Sequence, residues 1–206
     1  MNLKTLLIAV VAIISLSFEA YSQPLMQKFT QELKAKNEHV STIQSDFSQT
    51  RSMAVLANDV VKRGVFYFSR PSNMRLSFSD GDFIKMTEVW FEMKSAGSLN
   101  KTKVSSNPML KSLNSILSAC MVGNFDEMSR GFDISVTESN AEWIVVMTPQ
   151  RGKAIVKVSK VELRFDKTNM SLNSMNMVEK SGDYTLYTFS NKQFNKTIDT
   201  KLFNIS

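Results

Sequence analysis

The strongest constraint on this chain is a two-residue apolar rhythm that returns in short bursts along most of its length. Ile43, Ser45, Phe47 and Gln49 alternate with Gln44, Asp46 and Ser48, and Gly64-Val65-Phe66-Tyr67-Phe68 and Met74-Arg75-Leu76-Ser77-Phe78 follow. The rhythm resumes in Phe132, Ile134 and Val136 and again in Trp143 to Met147. Successive side chains of a strand point to opposite faces, so each burst predicts a strand with one apolar side. Between the bursts stand turn formers: Arg70-Pro71-Ser72-Asn73, Ser79-Asp80-Gly81-Asp82, Thr148-Pro149-Gln150-Arg151-Gly152 and Ser181-Gly182-Asp183. Strands at intervals of about ten residues, joined by short turns, predict an antiparallel sheet and argue against βαβ units.

The remaining segments fit the same plan. A strand or strand pair is expected through Phe83 to Met93, and Lys94 to Lys103, polar and containing a glycine, reads as a turn or short loop. From Ala154 to Asp166 the apolar parity slips near Ser159, from even at Val156 and Val158 to odd at Val161, Leu163 and Phe165, which predicts a bulge or bend. Two further strands are expected near Met170 to Glu179 and Asp183 to Ser190. Two segments have helical spacing instead. Leu25, Phe29 and Leu33 share a face after Pro24, and Met109, Leu113, Ile116, Leu117, Cys120 and Met121 recur at three- and four-residue steps before Gly123. The fold class is therefore mostly β with α (α+β): a curved antiparallel sheet whose concave face is covered by helices, around either a packed core or a cavity.

The first residues read as a secretory signal peptide. Lys4 precedes 13 apolar-rich residues from Leu6 to Phe18, and Ala20-Tyr21-Ser22 offers small residues for cleavage, leaving 23–206 as one domain. That greasy core is shorter than the roughly 20 residues that cross a bilayer, so the expectation is an exported, soluble protein. The lone cysteine, Cys120, has no disulfide partner, so packing must hold the fold. A net charge of +6 is spread without a dense basic run, which disfavours nucleic acid and suits weak attraction to anionic lipid headgroups.

The catalytic inventory is thin. With His39 as the sole histidine and Cys120 as the sole cysteine, zinc sites and Ser/His or Cys/His pairs are excluded. Asp80 and Asp82 read as turn formers, and seven glycines include no phosphate-cradling motif. No catalytic residue, metal or cofactor is expected. What stands out instead is grease: Phe66-Tyr67-Phe68 is aromatic on both faces, and thirteen methionines supply flexible apolar surface.

On the stretch from Ile43 to Arg51, on Gly64-Val65-Phe66-Tyr67-Phe68-Ser69-Arg70-Pro71, on Met74 to Phe78 with Asp80-Gly81, and on Gly182-Asp183-Tyr184 through Phe189, Asn191, Asn195 and Phe203, the chain resembles the LolA family of periplasmic lipoprotein carriers. The resemblance implies an unclosed β-barrel with a helical lid over a hydrophobic cavity. It implies a monomer in the periplasm that takes acylated lipoprotein, or another lipid, from an inner-membrane ABC transporter to an outer-membrane acceptor. The cavity is then expected to be lined by Phe47, Phe66, Phe68, Met74, Leu76 and Phe78. Leu113, Ile116 and Leu117 would belong to the lid. Arg70 matches the arginine before proline that holds the lid closed in that family, and it is expected to bond lid carbonyls. A lipid- or lipoprotein-sensing regulatory domain is the alternative, because such folds also occur in envelope-stress regulators.

Overall fold

The computed structural model describes residues 24–122, 125, 131–150 and 157–206; the expected signal segment 1–22, the helix stop at Gly123 and the Arg151-Gly152 half of a predicted turn lie outside them. A helix over 24–37 (α1) leads into β1 (Thr42–Ser52), β2 (Val60–Ser69), β3 (Asn73–Phe78), β4 (Phe83–Met86), β5 (Trp90–Ser95) and β6 (Ser98–Lys103). After α2 (Pro108–Val122) come β7 (Phe132–Glu138), β8 (Glu142–Pro149), β9 (Val158–Asp166), β10 (Leu172–Glu179) and β11 (Tyr184–Phe194). All eleven strands form one antiparallel sheet in the order β6-β5-β4-β3-β2-β1-β11-β10-β9-β8-β7. The sheet curls without closing, so among the described residues β6 and β7 are its two edges.

The parity slip at Ser159 is a β-bulge. Val178 pairs with Lys160 and Glu179 with Val158, which leaves Ser159 as the extra residue, and its hydroxyl donates to the Val178 carbonyl at 3.1 Å. The strand expected from Met170 begins at Leu172 instead. Met170 has a left-handed φ of 56°, and its N–H returns to the Asp166 carbonyl at 2.8 Å, so it closes the turn.

The polar stretch Lys94 to Lys103 corrects the sequence reading, since it completes β5 and supplies β6 around a turn at Ala96-Gly97. Five of the six residues of β6 are exposed. An edge strand this exposed has little reason to alternate, and its two lysines blunt the open edge against pairing with other chains.

Packing on the concave side divides between the helices. Phe29 and Leu33 of α1 are fully buried, and Phe29 stacks edge-on with Phe125 and Phe165 at 5.6 and 5.1 Å and tilted against Trp143 at 5.7 Å. Glu32 accepts from Trp143 Nε1 at 3.1 Å, and Lys28 reaches Glu138 at 2.9 Å. Thus α1 plugs the β7–β9 end of the sheet with aromatic rings. Near the middle, Phe47 and Phe78 meet at 5.1 Å above Gly64, which pairs with both. A β-carbon at Gly64 would stand 1.9 Å from the Ser77 carbonyl oxygen, so only glycine permits this close passage.

The outer face of β3–β6 carries an aligned row of charges. Arg75, Lys85, Glu92 and Lys101 are consecutive cross-strand partners. Lys85 and Glu92 form a 2.7 Å ion pair in which the Glu92 side chain is fully buried. Residues 202–206 run over this row: Arg75 donates to the Leu202 carbonyl at 3.0 Å, Lys85 to the Asn204 carbonyl at 2.6 Å, and the Ser206 N–H to Glu92 at 3.3 Å. Burial pushes the Glu92 carboxyl up, but Lys85 and the Ser206 donors outweigh it and hold the group below the ordinary range.

Candidate functional site

The concave face is built by parity. In β2 to β5, Phe66, Leu76, Ile84 and Met93 form one cross-strand row, and Phe68, Met74, Met86 and Phe91 form the next. On the other side of β1, Phe189 pairs with Phe47, Tyr187 with Gln49 and Thr185 with Arg51, and Met175 and Met177 continue those rows into β10. Above them lies α2, whose Leu110, Leu113 and Leu117 fall on one stripe at three- and four-residue spacing and face the sheet.

Between this stripe and the sheet is a cavity of about 360 Å³. Its floor is Phe66, Met74, Leu76, Ile84, Met86, Phe91 and Met93 from β2–β5, with Met175, Met177, Tyr187 and Phe189 from β10 and β11, and its roof is Leu110, Leu113 and Leu117. Five methionines line it, and an unbranched thioether reshapes more cheaply than a branched or aromatic side chain. A smaller hollow of about 20 Å³ lies beyond Phe66, Leu117 and Phe189, bounded by Ile43 and Met121.

The residues expected to form the site divide between these surroundings. Phe66, Met74 and Leu76 line the cavity floor, and Leu113 and Leu117 line its roof. Phe47 and Phe78 do not line the cavity, because they stack on one another over Gly64. Phe68 and Ile116 are also outside it, both essentially inaccessible in the core. Residues from β4, β5, β10 and β11 complete the lining beyond those expected from sequence; the signal available for them was the methionine count, since Met86 and Met93 fall in predicted strands.

Arg70 lies beyond the end of β2, after which the Arg70–Pro71 peptide bond is cis. Its Nη2 donates to the Asn37 carbonyl at 2.7 Å and its Nε to the Val40 carbonyl at 2.5 Å. These carbonyls belong to the C-terminal end of α1 and the residues after it, where helix geometry leaves acceptors unused and negative potential accumulates. Arg70 therefore grips α1, and not the helix that carries Leu113, Ile116 and Leu117. The link to α2 passes through buried Asn37, whose Nδ2 donates to the Cys120 carbonyl at 3.3 Å. Cys120 itself is buried, and burial pushes its thiol well above the ordinary thiol range.

The cavity also has a polar end. Gln49 Nε2 donates to the Tyr187 hydroxyl at 2.6 Å, and burial, ahead of the opposing effects of Gln49 and Arg51, raises the Tyr187 phenol above its ordinary value. It stays a neutral O–H donor. No group of three or more His, Cys, Asp or Glu side chains arranged for a metal occurs among the described residues. Among these residues no helix is long and apolar enough to cross a membrane.

The sequence profile of a family described as "Outer membrane lipoprotein carrier protein LolA" matches residues 38–206. A search of curated proteins finds no match. Among solved structures, an uncharacterized conserved protein from Thermus thermophilus is similar at 11% identity and a TM-score of 0.52, over 87% of this chain and 93% of that one. MucB is similar at 11% identity and a TM-score of 0.50, over 87% of this chain and 62% of that one. A LolA superfamily protein from Nitrosomonas europaea is 10% identical with a TM-score of 0.43, over 85% and 97% of the two chains. At such identities the likeness to the first two is one of fold.

Proposed function

The chain belongs to the family of the outer membrane lipoprotein carrier protein LolA, and from that premise we propose that it is a non-catalytic periplasmic carrier that shelters acyl chains between sheet and α2. The observation that carries this reading is an apolar hollow of about 360 Å³ roofed by leucines and floored by methionines and aromatic rings. Pockets for small ligands commonly span roughly 300–1,000 Å³.

Moving an acyl chain into water costs about 0.8 kcal/mol per methylene, so a lipid tail cannot leave a bilayer at a useful rate unless apolar side chains replace the lipid. At ~30 Å³ per methylene, about the share of one liquid water, the cavity holds on the order of a dozen methylenes. One chain fits in the closed state. A multiply acylated lipoprotein requires α2 to lift, so that contacts among Leu110, Leu113, Leu117 and the sheet are exchanged for contacts with cargo. Net affinity is then the difference between two similar terms, which is what a protein that must also release its load needs. Arg70 acts in this scheme as the clasp that favours the closed arrangement, through α1 and Asn37. An inner-membrane ABC transporter as donor and an outer-membrane acceptor complete the route.

Native mass spectrometry of protein purified from an envelope fraction tests the reading. Acylated cargo should accompany the native chain and be lost from a Leu113→Asp, Leu117→Asp double variant that still folds. Retained cargo that no acceptor membrane can extract would favour the sensing alternative over carriage. A wild-type protein without any acylated mass would overturn both.

A further inference from the structure

The cavity lining is graded along two paired strands. Travelling outward, β1 presents Phe47, Gln49 and Arg51 on the concave face, and their partners in β11 are Phe189, Tyr187 and Thr185. Each step is more polar than the last on both strands: ring with ring, amide with phenol, guanidinium with hydroxyl. The outermost pair lies where the lining becomes exposed, since Arg51 is exposed and faces exposed Val60 across β2.

Arg51 differs from the other cations of this face and its margins. Lys62 is neutralised by Asp80 and Asp82, each at 2.8 Å, and Arg70 is spent on the α1 carbonyls. On the outer face of the sheet, the guanidinium of Arg75 bonds Ser77 and the Leu202 carbonyl and stacks over Phe83. Arg51 has no ion pair or side-chain hydrogen bond among the described residues. The nearest turns hold two carboxylates that are otherwise occupied: Asp183 accepts from the Ala54 N–H at 2.9 Å and Asp59 from the Tyr184 hydroxyl at 3.3 Å. Beneath Arg51, the Tyr187 oxygen accepts from Gln49, so the phenol proton is free to be donated into the cavity.

We propose that this end of the cavity is a headgroup site, and that the ligand is an amphiphile with an anionic carboxylate or phosphate held by Arg51 and an alkyl chain running inward past Phe66 beneath Leu113. The inference rests on the reading of the hollow as an acyl site and adds the chemical class of what enters it. A guanidinium fork matches a carboxylate or phosphate in a bidentate fashion, which a point charge cannot. Tyr187 donates to the ester or acid oxygen one step further in. The grading fixes direction as well as class, because a tail-outward pose would bury the anion among methionines.

Isothermal titration of the folded chain with dodecanoate, dodecyl phosphate and a neutral dodecyl maltoside tests the site. The two anionic probes should bind more tightly than the neutral one, and their ranking tells a carboxylate ligand from a phosphate ligand. Arg51→Gln should weaken both anions by roughly tenfold while leaving the maltoside unchanged, and Arg51→Lys should recover part of the loss. Because Arg51 is exposed, thermal unfolding of the variants should match the parent. If all three probes bind and Arg51→Gln weakens them equally or not at all, the headgroup site is wrong and the acyl cavity stands. If none binds the parent protein, both readings fall.

Discussion

Buried Glu92 shows how much of the outer layer depends on one carboxylate. Its oxygens take the Lys85 ammonium at 2.7 Å and the Ser206 N–H at 3.3 Å, and its side chain is shut off from solvent. Glu92→Gln would leave Lys85 buried without its counter-charge, and breaking a buried pair by removing one partner costs about 3–5 kcal/mol. The carboxyl lies below its ordinary value in the folded protein. The stability it contributes is therefore complete above the unfolded value of roughly 4.3 and is lost as pH falls through the lower folded value. Urea unfolding should show the full gap between parent and Glu92→Gln at neutral pH and a shrinking gap below about pH 4. A gap that is constant down to acid pH would mean that shape, not charge, sets the cost. None of this was legible in the alternation, which places Lys85 and Glu92 on one face of their strands but does not say that residues 202–206 cover that face.

The two helices do different jobs although both read as amphipathic in the sequence. Aromatic contacts at Phe29 and the Lys28–Glu138 ion pair fasten α1 to the sheet, whereas α2 meets the cavity through three leucines. Among the described residues, buried Asn114 Oδ1, also on α2, has no hydrogen-bond partner, which costs the packed position of α2 about 1–3 kcal/mol. In the proposed carrier, Arg70 offsets this cost by holding α2 closed through α1 and Asn37. Arg70→Leu removes two charge-assisted hydrogen bonds, each worth about 1.5–3 kcal/mol. Amide exchange around residues 34–41 and along α2 should accelerate by at least about tenfold. Faster exchange confined to α1 would refute the relay through Asn37 and Cys120. Spacing alone identified both helices and the faces they bury, and parity identified the bulge at Ser159. What spacing cannot show is which stretch of an apolar face meets a ring that fills the gap and which meets a leucine that leaves one; hence Phe47, Phe68 and Phe78 read the same as Phe66 and Leu76.

For the molecule as a whole, the ligand capacity of the closed state follows from its cavity. Affinity for straight-chain carboxylates should rise by about 0.8 kcal/mol per methylene up to roughly a dozen carbons and then level off, as read by titration across a chain-length series. Ligand-induced stabilisation in thermal unfolding should follow the same curve, because a ligand that binds only the folded state adds RT ln(1 + [L]/Kd). An early plateau would mean that the floor methionines fill the hollow in solution. The antiparallel pairing of the sheet was open to inference from turns and rhythm, but β6 was hidden by its polarity, and the cavity because apolar spacing is the same over a gap as over a filled core.

That the sheet ends at β6 on one side and β7 on the other has a mechanical consequence. In a sealed cylinder the number of strands and their stagger dictate the radius, so its bore cannot change without breaking ladder bonds. A scroll with two loose margins is under no such rule. It can unroll slightly, through small changes of twist at each strand pair, and so widen or tighten with every inter-strand bond intact.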